Sequence, residues 1–151
     1  MGAIFLPEIR HVQSSEEFLF LQACHVNDAA FHYKELHKLS WSDIGQHYVA
    51  MSPDNPESVA GVIQVVDTRN DLADGYGEKH ITRLAVDSTY RQRGIGSALV
   101  AHAVQVEREA GLKILSTQPK TESAESIFEK QGFSNHPLGN RDKFFRYLIL
   151  G

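Results

Sequence analysis

The sequence predicts one mixed α/β domain, residues 1–151, built on a mostly antiparallel sheet flanked by helices. Its 151 residues and 42% hydrophobic content suffice for a single core and leave no room for a second domain of ordinary size. The apolar period switches between two and 3.6 along the chain without an internal repeat, which gives alternating strands and helices. Short β-branched runs between His47 and Val86, separated by turn-rich or polar segments, give an antiparallel meander.

Ile9–Val12 reads as a short strand. Ser14 and Ser15 with Glu16 and Glu17 then supply a cap and first-turn acids for a helix, and a second helical stretch follows to about Leu39. His47–Met51 and Ser58–Val66 are strands joined by Ser52-Pro53-Asp54-Asn55-Pro56, a strong turn signal, and so form a hairpin. A polar loop from Asp67 to Gly77 leads to a further strand, Glu78–Val86. From Gly94 to Ala110 the pattern is helical, with Leu99, Ala103, Val106 and Ala110 on one stripe and Gly111 just past the end. Leu112–Thr117 is a buried strand, Thr121 caps a shorter helix closed by Gly132, and Phe144–Leu150 is the last strand.

Charge and composition exclude several classes of function. No apolar run approaches the roughly 18 to 20 residues needed to cross a bilayer, and Ala3–Leu6 is too short for a signal-peptide core. Gly2 lacks the Ser or Thr at position 6 that myristoylation requires. A chain of net charge −4 without a Lys/Arg run is a poor partner for nucleic acid. The single Cys24 suits a reducing, cytoplasmic setting and reads as a small core side chain. The charge is divided unevenly: residues 1–75 hold 11 acids and 4 bases (net −7), whereas 76–151 hold 8 acids and 11 bases (net +3). The two halves are therefore expected to face different partners.

The sharpest motif is Arg91-Gln92-Arg93-Gly94-Ile95-Gly96-Ser97, set between a strand and a helix. Glycines there allow close approach to the backbone, and the unpaired N–H groups of a helix start favour an anion such as pyrophosphate. A dinucleotide fingerprint needs a third small residue where Leu99 stands, and a Walker A loop needs Gly-Lys-Ser/Thr, which is absent. Read alone, the glycines also fit a simple tight turn.

In its wider context, the stretch from Ile81 through this turn to Leu99 resembles the strand, pyrophosphate loop and helix of the GNAT family of N-acetyltransferases. Glu129-Lys130-Gln131-Gly132-Phe133 resembles the ending of that family's next helix, so the specific resemblance covers about residues 80–133. The resemblance implies a GNAT fold whose fourth and fifth strands splay around the pantetheine arm of acetyl-CoA, the cosubstrate. Leu84, Ala85 and Val86 would then face the arm with main-chain partners, and Arg91, Gln92, Arg93, Gly94, Ile95, Gly96 and Ser97 would hold the pyrophosphate. Ser116 and the helix near Ser123 to Phe128 would line the other side of the arm.

Acetyl transfer to an amine requires that the amine lose its proton and that the developing oxyanion meet a donor. The family often places a Glu on the fourth strand as base, and Thr82 stands in one such position. His80, at another position used by some members, shares a face with Thr82 and Leu84 in an uninterrupted strand and is the candidate base. The family's Tyr, which protonates the leaving thiolate, is matched by Phe128, which has no hydroxyl. Tyr90, Phe31 and Trp41 read as packing residues. His25, Asp28 and His32 share a face of a continuous helix, yet Asn27 interrupts it and no HExxH or CxxC occurs, so no metal is expected.

The resulting expectation is an N-acetyltransferase that moves an acetyl group from acetyl-CoA to a primary amine of a small molecule or peptide in a ternary complex. The alternative is a non-catalytic acyl-CoA sensor, because the usual Glu and Tyr are both missing. No membrane partner is expected, and a homodimer is one arrangement left open.

Overall fold

The structure, a computed structural model, describes residues 7–12, 46–67, 78–119, 121–135 and 146–150. The expected helices between Ser14 and Leu39, with Cys24, His25, Asp28, Phe31, His32 and Trp41, lie outside the described residues, as do most of the Asp67–Gly77 loop and Phe144.

The elements are β1 (Ile9–His11), β2 (Gln46–Met51), β3 (Val59–Asp67), β4 (Glu78–Val86), α1 (Ile95–Glu109), β5 (Ile114–Thr117), α2 (Glu122–Lys130) and β6 (Arg146–Ile149). They form one six-stranded sheet whose spatial order follows the chain, β1-β2-β3-β4-β5-β6. Every neighbouring pair is antiparallel except β4–β5, which is parallel because α1 carries the chain back between them.

Glycines end both helices. Gly111 (φ 85°) and Gly132 (φ 100°) adopt the left-handed conformation that terminates a helix. The Leu112 N–H bonds the Glu107 carbonyl and the Phe133 N–H bonds the Phe128 carbonyl, closing a Schellman motif at each end. Leu112 is thereby committed to the helix cap, and β5 begins at Ile114 instead of Leu112. At the other end of α2, Thr121 Oγ1 accepts from the Ala124 N–H at 3.0 Å, the cap expected from sequence.

The core lies between α1 and one face of the sheet. Ile63 and Val65 of β3 pack there with Ile95, Leu99, Val100 and Ala103 of α1, Leu115 of β5 and Phe128 of α2. The apolar stripe of α1 is rotated from the one read in the sequence: Val100 and Val104 are buried, whereas Ala110 is exposed. The stripe also includes Glu107, only 1% exposed, whose carboxylate meets Lys79 Nζ at 3.1 Å. A buried charge is tolerated there because its counter-ion comes from the facing strand.

Strand pairing shows which β4 side chains share this face. Leu84 pairs with Ile63, but Val65 pairs with Ile81, so one residue of β4 is extra at the register shift between Gln64 and Val65. Such a bulge reverses the alternation on either side of it. Ile81 and Leu84 therefore face α1, while His80, opposite Val66, and Arg83, opposite Gln64, face the other side. The expectation that His80 and Leu84 share a face is corrected by this single inserted residue.

Candidate active site

β4 is nine residues long, yet β5 pairs only with Glu78 to Ile81. After the Ile81–Thr117 rung the strands separate, and a cleft of about 730 Å³ opens between Ile81–Val86 on one side and Thr117, Gln118 and Pro119 on the other. The last rung is reinforced by Thr117 Oγ1, which donates to the Ile81 carbonyl at 3.1 Å.

Ladder geometry then fixes which β4 backbone groups face this gap. The Asp87 N–H bonds the Ala60 carbonyl at 2.8 Å, so alternate residues preceding it, Val86 and Leu84, turn their N–H and C=O away from β3. The Val86 carbonyl indeed accepts from Arg91 Nε on that side, at 3.3 Å. An extended ligand entering the gap meets a half-used strand edge.

The glycine turn closes one end of the cleft. Gly94 (φ 81°) caps α1, and the first helical bond runs from the Ala98 N–H to the Gly94 carbonyl at 3.0 Å. The N–H groups of Ile95, Gly96 and Ser97 therefore have no partner within the helix, and all three residues line the cleft. A Cβ on Gly96 would stand 3.0 Å from Ile127 Cδ1, so glycine lets α1 and α2 approach across the cleft. Gln92 is the one described non-glycine residue with positive φ, 65°, and it too lines the cleft.

Charge along the lining is one-sided. Arg83, Arg91 and Lys130 contribute cations, and no Asp or Glu occurs among the described lining residues. Together with the N–H groups of α1, this makes an anion-receiving cleft. Phe128 is buried against Phe133, with ring centroids 5.2 Å apart, and contributes an apolar wall without a hydroxyl.

Of the residues singled out from sequence, Leu84, Ala85, Val86, Arg91, Gln92, Gly94, Ile95, Gly96, Ser97, Ser123 and Phe128 come together around this cleft. Three stand apart from the described lining. Arg93 lies over the Tyr90 ring, 5.5 Å from its centroid. Ser116 is fully buried, and its Oγ meets His80 Nδ1 at 2.8 Å on the sheet face away from α1. Ser126 and Ile127 fall within the Ser123–Phe128 helix expected to line the arm, whereas sequence reasoning missed Arg83, Thr117 and Lys130 as lining residues. Only Lys130, inside the helix-ending motif, carried a signal.

On that same opposite face, Gln64 Oε1 accepts from Thr82 Oγ1 at 3.0 Å and from Arg83 Nη1 at 2.6 Å, so one amide oxygen clamps both residues at the bulge. His47 pairs with Gln64 and is buried. Burial, with the Arg83 guanidinium and His11 adding to it, lowers its pKa from 6.5 to about 4.

A sheet opened at its one parallel pair, ending on cations and helix N–H groups, forms a site for an extended ligand with an anionic end. Residues 8–133 match the family described as acetyltransferase (GNAT), and the chain belongs to that family. It is 34% identical over 98 residues to N-alpha-acetyltransferase 30 of Xenopus laevis, covering 63% of this chain and 33% of that protein. The human N-alpha-acetyltransferase 30 matches at the same identity and is covered to 25%, so the chain spans a third or less of these relatives. Among solved structures, the fold is similar to the GNAT family N-acetyltransferase YhbS of Escherichia coli in complex with CoA. That match has a TM-score of 0.73 and 17% identity, and covers 100% of this chain and 85% of that one. It is also similar to a chain of the NatC complex bound to Gag peptide and CoA, with a TM-score of 0.72, 20% identity and coverage of 97% and 100%.

Proposed function

We propose that this acetyltransferase moves the acetyl group of acetyl-CoA directly onto a primary amine, with a peptide α-amine as the acceptor class the observations favour best. The observation that carries this reading is the opening between β4 and β5. It presents the Leu84 and Val86 main chain to an extended arm, and it ends on cations and the N–H groups of α1. Acetyl-CoA supplies a thioester whose carbonyl carbon bonds to the amine nitrogen as the bond to sulfur breaks and the thiolate leaves.

Two features favour an α-amine over a lysine-like one. An α-amino group has an ordinary pKa of about 7.7 to 8, against about 10.4 for lysine, so a sizeable fraction is neutral near pH 7.5 without a strong base. The described cleft lining offers no carboxylate to act as one. The relatives of 34% identity, named as N-alpha-acetyltransferases, support the same class. A small-molecule amine is the second acceptor class.

His80 is assigned the proton-accepting role through an intervening water. Its ring is oriented by Ser116, and it precedes Ile81, where the cleft begins. The departing thiolate needs no dedicated acid, since a thiol of pKa about 8.5 leaves readily as an anion, which fits the phenylalanine at position 128. No helix among the described residues is long and apolar enough to cross a membrane.

The test is release of coenzyme A thiol from acetyl-CoA with a panel of peptides, each paired with its N-terminally blocked form. Thiol release and a mass gain of one acetyl group on the free peptides alone support the reading. Release with blocked peptides that contain lysine would assign the side-chain amine instead, and no release above hydrolysis would overturn the transferase reading.

A further inference from the structure

We infer that Tyr90, held by Ser52, is a positioning residue for the pyrophosphate-binding turn. This rests on the reading of the cleft as the site of acetyl-CoA. The turn from Arg91 to Gly94 needs an external brace. Gln92, a residue with a side chain, sits at φ 65°, and Gly94 at φ 81°, two left-handed positions within three residues. Such a conformation persists in a non-glycine residue only where surrounding contacts over-determine it.

The contacts that do so converge on Tyr90. Its own N–H bonds the Asp87 carbonyl at 2.9 Å, and Asp87 is tied in turn to Ala60 of β3. Its hydroxyl accepts from Ser52 Oγ at 2.8 Å, across 38 residues of sequence. Its ring lies under the Arg93 guanidinium, and it lines the cleft. One half-buried side chain thus joins the turn to the β2–β3 hairpin.

Ser52 is built for this purpose. It is 5% exposed, and its Oγ accepts the N–H groups of Asp54 and Asn55 at 3.1 and 3.2 Å. With both lone pairs engaged, its single proton goes to Tyr90. The hydroxyl therefore shapes the Ser52-Pro53-Asp54-Asn55 turn and anchors the phenol at once, which sets the height of the glycine turn relative to β3. In the absence of that bond the turn still forms, but ligand binding must order it.

The effect should appear only with ligands that reach the turn. Coenzyme A carries the pyrophosphate, whereas pantetheine occupies the strand gap alone. Calorimetry with both ligands, on the parent, Ser52→Ala, Tyr90→Phe, Tyr90→Leu and the Ser52→Ala/Tyr90→Phe double variant, separates the two contributions. Ser52→Ala and Tyr90→Leu, which removes the aromatic support for Arg93, are expected to weaken coenzyme A about fivefold and tenfold or more, while pantetheine binding stays within twofold. Tyr90→Phe keeps the ring but loses the acceptor, and should weaken coenzyme A no more than Ser52→Ala, which also frees the Asp54 and Asn55 N–H groups. The Ser52→Ala/Tyr90→Phe double variant should lose no more than Ser52→Ala alone, because that substitution already removes the bond to Tyr90. Equal weakening of coenzyme A and pantetheine, or additive losses, would overturn the positioning role in favour of general destabilisation. Unchanged coenzyme A affinity in all variants would also overturn it. A parent protein that binds coenzyme A no better than pantetheine would instead contradict the cofactor reading of the turn.

Discussion

Thr117 Oγ1 donates to the Ile81 carbonyl at the rung where β4 and β5 part, so a side chain completes the sheet just before the cleft begins. Thr117→Val keeps the shape and removes the donor. Leaving that buried carbonyl without its partner should cost about 1 to 3 kcal/mol of stability, read by denaturant unfolding, and weaken coenzyme A binding because the closed end of the cleft loosens. A variant as stable as the parent would show that the hydroxyl does not hold the junction.

His47 makes stability depend on pH. Its pKa is about 4 in the folded protein against 6.5 unfolded, so the unfolded chain binds a proton that the folded one resists. The contribution is fully present above pH 6.5 and is lost as pH falls toward 4, amounting to about 2 kcal/mol between pH 7 and 5. His102, also lowered by burial and by His11, acts in the same direction. Unfolding curves at pH 7 and 5 for the parent and His47→Gln should differ by that amount, and equal slopes would remove His47 as the cause.

His80→Gln preserves size and polarity but removes titration. Binding of acetyl-CoA should be unchanged, while kcat/KM falls about 100-fold near pH 7 and the residual rate climbs as the free amine becomes available. A variant within threefold of the parent from pH 6 to 9 would transfer the role to solvent.

The glycine turn, the helix caps and the antiparallel meander of β2, β3 and β4 were legible in the sequence because each depends on local patterning and turn chemistry. Gly94, Gly111 and Gly132 all take positive φ, and Thr121 caps α2. The face of His80 was not legible. It depends on one extra residue in β4, which is visible only when Gln64 is seen opposite Arg83 and Val65 opposite Ile81. Glu107 escaped for a similar reason, since a carboxylate on a buried stripe reads as solvent-facing until Lys79 of the neighbouring strand is placed beside it. Arg93 belongs to the motif in sequence, but its guanidinium lies on Tyr90 instead of in the cleft lining.

The acidic N-terminal portion, net −7 over residues 1–75, favours acceptors that carry positive charge. Peptides with basic residues near the α-amine should show higher kcat/KM than acidic ones, and the gap should narrow with added salt. Preference for acidic peptides at low salt would contradict this steering.

The claim that the β4–β5 opening and its glycine turn receive acetyl-CoA is tested most directly by titrating coenzyme A calorimetrically into the parent and Gly96→Val. A side chain at position 96 would stand in the passage between α1 and Ile127, where a Cβ alone comes within 3.0 Å. The account predicts a variant that still folds, with a lowered thermal midpoint because the added side chain presses on Ile127, and with coenzyme A affinity reduced at least about 100-fold by the lost approach to the backbone. Unchanged affinity in that variant would place the cosubstrate elsewhere and contradict the assignment.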